Sequence, residues 1–455
     1  MKNISSLHVP HNKNTDKCDP IRIATPKEVV LAMNPLNGHS AQNMSTPIVK
    51  VGDYVRVGQV IAKEEGRFST VVHATVSGTV VEIAPLTYGD DMTIDAIRIE
   101  SDGKMEKDPD LKPPVMNSCE DFLQAVRASG VVGLGGASFP TWQKFKEFTN
   151  PGYSVDTVLI NAAECEPYIT SDHKMMTLHP DLIADGIEYL RKYMNEYLGN
   201  AVFKICIEKN KPDAIEILKE TFKDKQDYVV IHELEAIYPQ GAKQIMLYNA
   251  TGRVAVAGKR FPSFGATIIN VSSLAKMAEY LNTGMPLVER IITLDGPAVK
   301  NPKIVIAPIG TRISHLMNEL EFNGEVGKVV IGGPMNGHAA YSTESPIVKV
   351  ANAVLFFGEE DCKTVDYSAC IHCGRCVEHC PVSIDVVSVE RALRIKDENK
   401  REIKLIDTGV RQCYECACCT YVCPARRPLM AWNQDARWWL KQYAASKATK
   451  EGGNS

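Results

Sequence analysis

From residue 48 to 62 the chain alternates apolar and polar positions around two glycines, Gly52 and Gly58, and the alternation resumes from Val71 to Ile83. Alternation with a period of two puts successive side chains on opposite faces of a strand, so this region predicts short strands joined by tight turns. Further on the pattern changes. Val158-Leu159-Ile160 is a wholly apolar run and reads as a buried strand, and a polar turn follows it at Asn161. Thr267–Asn270 and the stretch before Tyr238 repeat the theme of apolar strand and polar turn. Asp181–Tyr193 and Lys211–Phe222 read as helices between these strands, which together give an α/β arrangement. Residues 290–302 predict strand, turn and strand, and Ile309–Leu320 predicts a helix with Thr311 as its N-cap. A tight glycine turn, Gly332–Gly337, closes that region. Two more helices are expected at Ile384–Lys396 and Met430–Tyr443. The second carries Trp432, Trp438 and Trp439, whose expected role is packing on the neighbouring segment.

With 455 residues the chain has length for about three domains. The net charge of −4 and the lack of a basic stripe give no reason to expect a nucleic-acid partner. Met1–Ser6 opens into polar residues without an apolar core, so no export signal is expected. The most apolar run, Val350–Phe357, is too short to cross a bilayer, so a membrane role would come through partners.

Composition changes the picture at cysteine. Of fourteen, Cys18, Cys119, Cys165, Cys206 and Cys362 are scattered, while nine fall between Cys370 and Cys423. Cys370, Cys373, Cys376 and Cys380-Pro381 form a C-x2-C-x2-C-x3-C-P run, and Cys413, Cys416, Cys419 and Cys423-Pro424 repeat it. Three thiolates at this spacing reach three corners of one cubane, and the fourth ligates the other cluster. The expected ligand sets are therefore Cys370, Cys373, Cys376 and Cys423 for one [4Fe–4S] cluster, and Cys413, Cys416, Cys419 and Cys380 for the second. Zinc ribbons use two separated pairs instead of two such quartets. Cys418 lies out of register and reads as a buried free thiol.

Gly130-Val-Val-Gly133-Leu-Gly135-Gly136-Ala-Ser138-Phe139-Pro140 is a glycine-rich loop that lets backbone approach a ligand and offers amides to an anion. Ser138 stands where the dinucleotide fingerprint has its third glycine, and no strong strand precedes the loop. Alone, the loop is equally consistent with an ordinary turn. Asn161-Ala-Ala-Glu164-Cys165-Glu166 places an amide and two carboxylates just past a strand end, where α/β folds bind ribose or ring nitrogens.

Residues 48–83 resemble the flattened barrel of biotinyl and lipoyl domains, but the hairpin tip Glu64–Thr70 has no lysine to modify, so a structural or docking role is expected. Residues 288–320 resemble an SLBB unit, a small ubiquitin-like module. From Leu7 to Tyr443 the order of parts and the runs GLGGASFPT, NAAECEPYITSDH, YPQGAKQ and GGPMNG resemble one family, the RnfC component of the Rnf electron-transport complex. The resemblance implies an α/β multidomain chain. Its parts are a barrel domain over 1–110, an FMN- and NADH-binding α/β domain over 111–260, an SLBB domain and connecting segment over 261–358, and a helical two-cluster ferredoxin-like domain over 359–455.

The middle domain is also similar to the NADH-binding flavoprotein subunit of respiratory complex I. That likeness implies that Gly133, Gly135, Gly136 and Lys144 surround FMN, with Asn161, Glu164, Tyr238, Gly241 and Asn270 lining the same pocket. It puts Phe139 and Glu166 where NADH would stack or bond. The chain departs from that pattern at Ala163, where aspartate is usual, and at Ala242-Lys243, where two acidic residues are usual. The implied activity is electron exchange between NAD(H), FMN and two clusters, coupled in the complex to movement of Na⁺ or H⁺. The implied setting is the cytoplasmic face of the membrane, among membrane-embedded and ferredoxin-type subunits. Two other readings are a soluble NADH-dependent cobalamin reductase, whose glycine-rich domain comes before its barrel, and a non-catalytic iron–sulfur relay.

Overall fold

The computed structural model of the chain describes residues 7–33, 45–65, 68–89, 92–136, 138–256, 258–363 and 365–452. Met1–Ser6, Gly66 and Arg67 of the hairpin tip, and Ala137 of the glycine loop lie outside them.

The alternating N-terminal region folds as expected. An antiparallel sheet of Glu28–Ala32, Met92–Ser101, Gly78–Gly89 and Tyr54–Val55 accompanies a smaller one of Ser45–Pro47, Val60–Glu64 and Val72–His73. Their inward residues, among them Val29, Leu31, Val55, Ile61, Val80, Ile97 and Ile99, form one core. Val131, Val132 and Leu134 are buried in that same core, so the barrel is the platform on which the glycine loop stands.

The middle unit is a four-stranded parallel sheet in the order Val229–Leu234, Val202–Glu208, Thr157–Ala162, Ala266–Asn270. Helices Pro180–Tyr193, Pro212–Thr221 and Val271–Thr283 flank it. Each added strand steps outward from Thr157–Ala162 until Ala266–Asn270 returns to that strand's other side. The strand order thus reverses beside Thr157–Ala162, and in open α/β sheets ligands bind past the strand ends at such a point. The strand that completes this site lies beyond the boundary expected at residue 260.

A third sheet joins Ile21–Arg22, Lys303–Pro308, Glu289–Asp295, Ala353–Gly358, Val326–Ile331 and His338–Ala339. The helix expected at Ile309–Leu320 spans only Ile313–Met317. Thr311 does not cap it, because its hydroxyl instead donates to Pro308 O at 2.7 Å and closes the preceding turn.

The C-terminal unit is helical and built as an internal repeat. Arg375–Glu378 and Val386–Leu393 in the first half correspond to Cys418–Tyr421 and the start of Leu429–Gly452 in the second. Left-handed residues recur at matching places: His372 with Glu415, Gly374 with Ala417, Ser383 with Arg426. Trp432 and Trp439 pack against this unit's core, whereas Trp438 is exposed. Among the described residues, no helix is long and apolar enough to cross a membrane.

Candidate functional site

The glycine loop closes on itself and is fastened to the sheet. Gly133 N donates to Phe139 O at 2.8 Å and Ser138 N to Gly133 O at 3.1 Å. Leu134 N donates to Ser273 Oγ at 2.8 Å, and that hydroxyl donates on to Val132 O at 2.9 Å. The loop therefore lies over the first turn of helix Val271–Thr283. At Gly135 a Cβ would come within 3.1 Å of Asn270 Nδ2, so any side chain there would press on the amide that binds Asp172. Gly136 has φ of +104° and open space above it, and both glycines are exposed.

Below the loop, the polar side chains expected at the site hold the backbone of the crevice in place. Asn270 Oδ1 caps the helix by accepting from Ser273 N (3.1 Å), while its Nδ2 donates to buried Asp172 (2.6 Å). Asn161 Nδ2 donates to Gly241 O (2.9 Å), and its Oδ1 accepts from Ala163 N (3.2 Å). Glu164 turns inward and accepts from Asp172 N (2.6 Å) and His173 N (3.2 Å), at the start of helix Ser171–Leu178. A carboxylate there offsets the orphan amides and positive dipole end of a helix. Glu166 accepts from Tyr238 Oη (3.2 Å) and from Met335 N (3.1 Å), and burial pushes its carboxyl up to about 7.

Lys13 is part of the crevice, and sequence reading missed it. Its Nζ donates to three carbonyls of one loop, Glu164 O (2.7 Å), Glu166 O (2.8 Å) and Ile169 O (2.6 Å). Burial lowers its pKa, and the neighbouring Glu164 opposes that shift. Leu7 adds a pair of backbone hydrogen bonds with Tyr238, each of 2.8 Å, so the segment before the barrel braces both sides of the crevice.

The cations at the crevice fit a phosphate. Lys144, on helix Thr141–Phe148, has its pKa lowered to about 8, first by burial and then by the charge of Lys243. Lys243 opens helix Lys243–Thr251, whose N-terminus has no side-chain cap. Glu147, whose charge opposes the shift at Lys144, is itself paired with Arg260 at 2.8 Å. Two neighbouring cations, opposed at Lys144 by the charge of Glu147, make a place whose repulsion an anion would relieve.

The cysteines of the two quartets gather round two cavities. One cavity is lined by Cys370, Cys373, Cys376 and Cys423, and a second by Cys380, Cys413, Cys416 and Cys419. Backbone amides point at the sulfurs: His372 N to Cys370 (3.4 Å), Ile384 N to Cys380 (3.3 Å) and Glu415 N to Cys413 (3.4 Å). The left-handed residues create those donors by turning the chain back on its own thiolate. Donors of this kind stabilise thiolates and tune a cluster's potential. Among the described residues, no three His, Cys, Asp or Glu side chains converge on a point fit for one metal ion. Each quartet instead rings a cavity, a layout suited to a cubane of several atoms.

Crevice and second cavity meet. Cys165, Tyr238 and Cys418 are buried in one apolar cluster with Leu7 and Val9, and Cys416, Val422 and Met335 pack against it. On the crevice side, Gly241 N donates to Cys165 Sγ at 3.3 Å. Cys418 also lines the second cavity and is fully buried.

The architecture is that of a flavoprotein-type α/β crevice joined to a two-cluster ferredoxin fold. Residues 126–279 match the Nuo51 FMN-binding domain, residues 4–104 the RnfC barrel sandwich hybrid domain, and residues 369–426 the 4Fe-4S dicluster domain. The chain is 34% identical over 389 residues to the C-subunit of the Na⁺-translocating ferredoxin:NAD⁺ oxidoreductase complex of Acetobacterium woodii, covering 84% of this chain and 85% of that one. It is 33% identical over 410 residues to the C-subunit of the proton-translocating ferredoxin:NAD⁺ oxidoreductase complex of Clostridium ljungdahlii, with 88% and 87% covered. The C-subunit of an ion-translocating oxidoreductase complex of Vibrio cholerae is 32% identical, with 83% of this chain and 48% of that one covered. Among solved structures, an NAD⁺-reducing [NiFe]-hydrogenase is similar at TM-score 0.44 and 18% identity, covering 53% of this chain and 47% of that one. The chain belongs to the RnfC family of ion-translocating oxidoreductase complexes.

Proposed function

We propose that this chain is the NAD(H)-handling subunit of a membrane-bound ferredoxin:NAD⁺ oxidoreductase complex, carrying FMN and two [4Fe–4S] clusters. The observation that carries the reading is the junction at Cys165, Tyr238 and Cys418, where the crevice and the second cysteine cavity share one buried wall. Bound FMN supplies the link between two-electron hydride chemistry and one-electron transfer. The glycine loop and Lys144 hold its phosphate, while Asn161, Glu164, Tyr238, Gly241 and Asn270 fix the shape of the pocket that receives it. Phe139 and Glu166 face the dinucleotide.

Cys380, Cys413, Cys416 and Cys419 hold the cluster nearer the crevice, and Cys370, Cys373, Cys376 and Cys423 the farther one. The farther cavity includes exposed Cys373 and Ile371, with exposed Tyr367 nearby in the chain, which supports electron exchange with a ferredoxin-type partner at that end. We place the chain on the cytoplasmic side, held peripherally by membrane-embedded subunits. Flavin and iron analysis of anaerobically purified protein tests the cofactor set. FMN together with two [4Fe–4S] clusters is expected, and full iron with no capacity to bind FMN would reduce the chain to a relay.

A further inference from the structure

Phe68, four residues beyond strand Val60–Glu64 of the barrel, reaches the glycine loop. The chain on either side of it is fastened down: Glu64 pairs with Arg127 on helix Cys119–Ala128, and Lys349 Nζ donates to Thr70 Oγ1 (3.1 Å) and Val71 O (2.8 Å). The same ammonium donates to Gly130 O at 2.9 Å, just before the glycine loop. Between these anchors Phe68 lies against Phe139, with ring centroids 5.7 Å apart and planes tilted by 55°. Phe139 closes the glycine loop through its carbonyl, four residues past Gly135. Neither ring is buried in a core; both keep part of their surface open to solvent.

Tilted rings at this separation attract each other only modestly, and each keeps surface that a third ring could cover. A heteroaromatic ring lying against Phe139 would find a second apolar face beside it, supplied by a different domain. Rigid aromatic side chains bind such rings by stacking, at little conformational cost.

We propose that Phe68 of the barrel joins Phe139 as a binding surface for an aromatic ring of the nicotinamide dinucleotide, which makes the barrel part of the substrate site. This rests on the dinucleotide-binding reading above. Phe68 is a positioning residue for substrate and takes no part in electron transfer.

The test uses the full chain with FMN and both clusters, assayed with NADH and an artificial one-electron acceptor. Phe68→Ala should raise KM for NADH roughly tenfold, the scale of one lost stacking contact. It should leave kcat within about twofold of the parent, with FMN content unchanged, and Phe68→Tyr should restore KM. An unchanged KM in flavin-loaded Phe68→Ala protein overturns the proposal, whether or not the variant has lost thermal stability. If the parent protein itself ignores NADH, the dinucleotide reading fails and takes this proposal with it.

Discussion

The Tyr238 hydroxyl donates to the Glu166 carboxylate at 3.2 Å, while the body of the same tyrosine packs in the cluster that includes Cys418 and Cys416. One side chain thus touches both halves of the electron path. Tyr238→Phe removes a hydrogen bond to a buried carboxylate and should cost on the order of 1–2 kcal/mol. Tyr238→Ala empties a fully buried ring site and should cost about 3–5 kcal/mol. Flavin bleaching by NADH should survive in the phenylalanine variant, and in alanine-variant protein that retains FMN, cluster reduction should slow while the phenylalanine variant keeps the parental rate. Stopped-flow absorbance separates the two events, and equal cluster rates in both variants would remove Tyr238 from the path.

Lys13 is bound to carbonyls of Glu164, Glu166 and Ile169. Lys13→Met leaves three buried acceptors without their donor, so a loss of about 3 kcal/mol is expected, along with FMN release because the loop they shape forms the crevice wall. Denaturant unfolding and flavin retention measure the two effects. A variant that keeps parental stability would show the bracing to be unimportant.

Flavin affinity should depend on pH through Lys144. Its pKa in the folded protein is lowered to about 8 from 10.5, so the lysine is charged below about 8 and neutral above it. A phosphate monoester is a dianion across this range, since its second pKa is about 6. Affinity should therefore be full below about pH 8 and fall by up to about tenfold per unit above it. The flavin-free protein follows the linked rule. Between about 8 and 10.5 the unfolded chain binds more protons, so folded stability rises with pH across that window. Fluorescence titration with FMN at pH 7 and 9 checks the first statement. Lys144→Met should bind weakly at both values, and a flat parental profile would exclude Lys144 from the phosphate site.

Cys376→Ser removes one sulfur from the cavity lined by Cys370, Cys373 and Cys423 and leaves the cavity of Cys380, Cys413, Cys416 and Cys419 untouched. About half the iron should be lost, while NADH still reduces the remaining cluster. If the remaining cluster is no longer reduced, the order of the two clusters along the path is wrong.

What can be read from sequence is what local spacing encodes. The cysteine quartets are legible because three ligands of each sit within one tight loop, and the glycine loop is legible because consecutive glycines announce close backbone approach. Lys13 is silent: one lysine in a polar segment carries no sign that it will meet carbonyls far along the chain. Phe68 is silent for the same reason, since its neighbour belongs to another domain. Thr311 misleads because a hydroxyl before an apolar run suits either a helix cap or a turn, and the proline-containing turn claims it. Asn161, Glu164 and Asn270 are legible as polar groups at strand ends. That their polar atoms are engaged in holding neighbouring backbone follows only from the fold.

NAD(H), flavin and clusters are assigned here to one path within a single chain. Anaerobic addition of NADH to the reconstituted protein, following flavin absorbance and cluster EPR together, tests that assignment most directly. Flavin bleaching accompanied by signals of reduced clusters is the expected result. Intact clusters and bound flavin that both stay oxidised in the presence of NADH would contradict it.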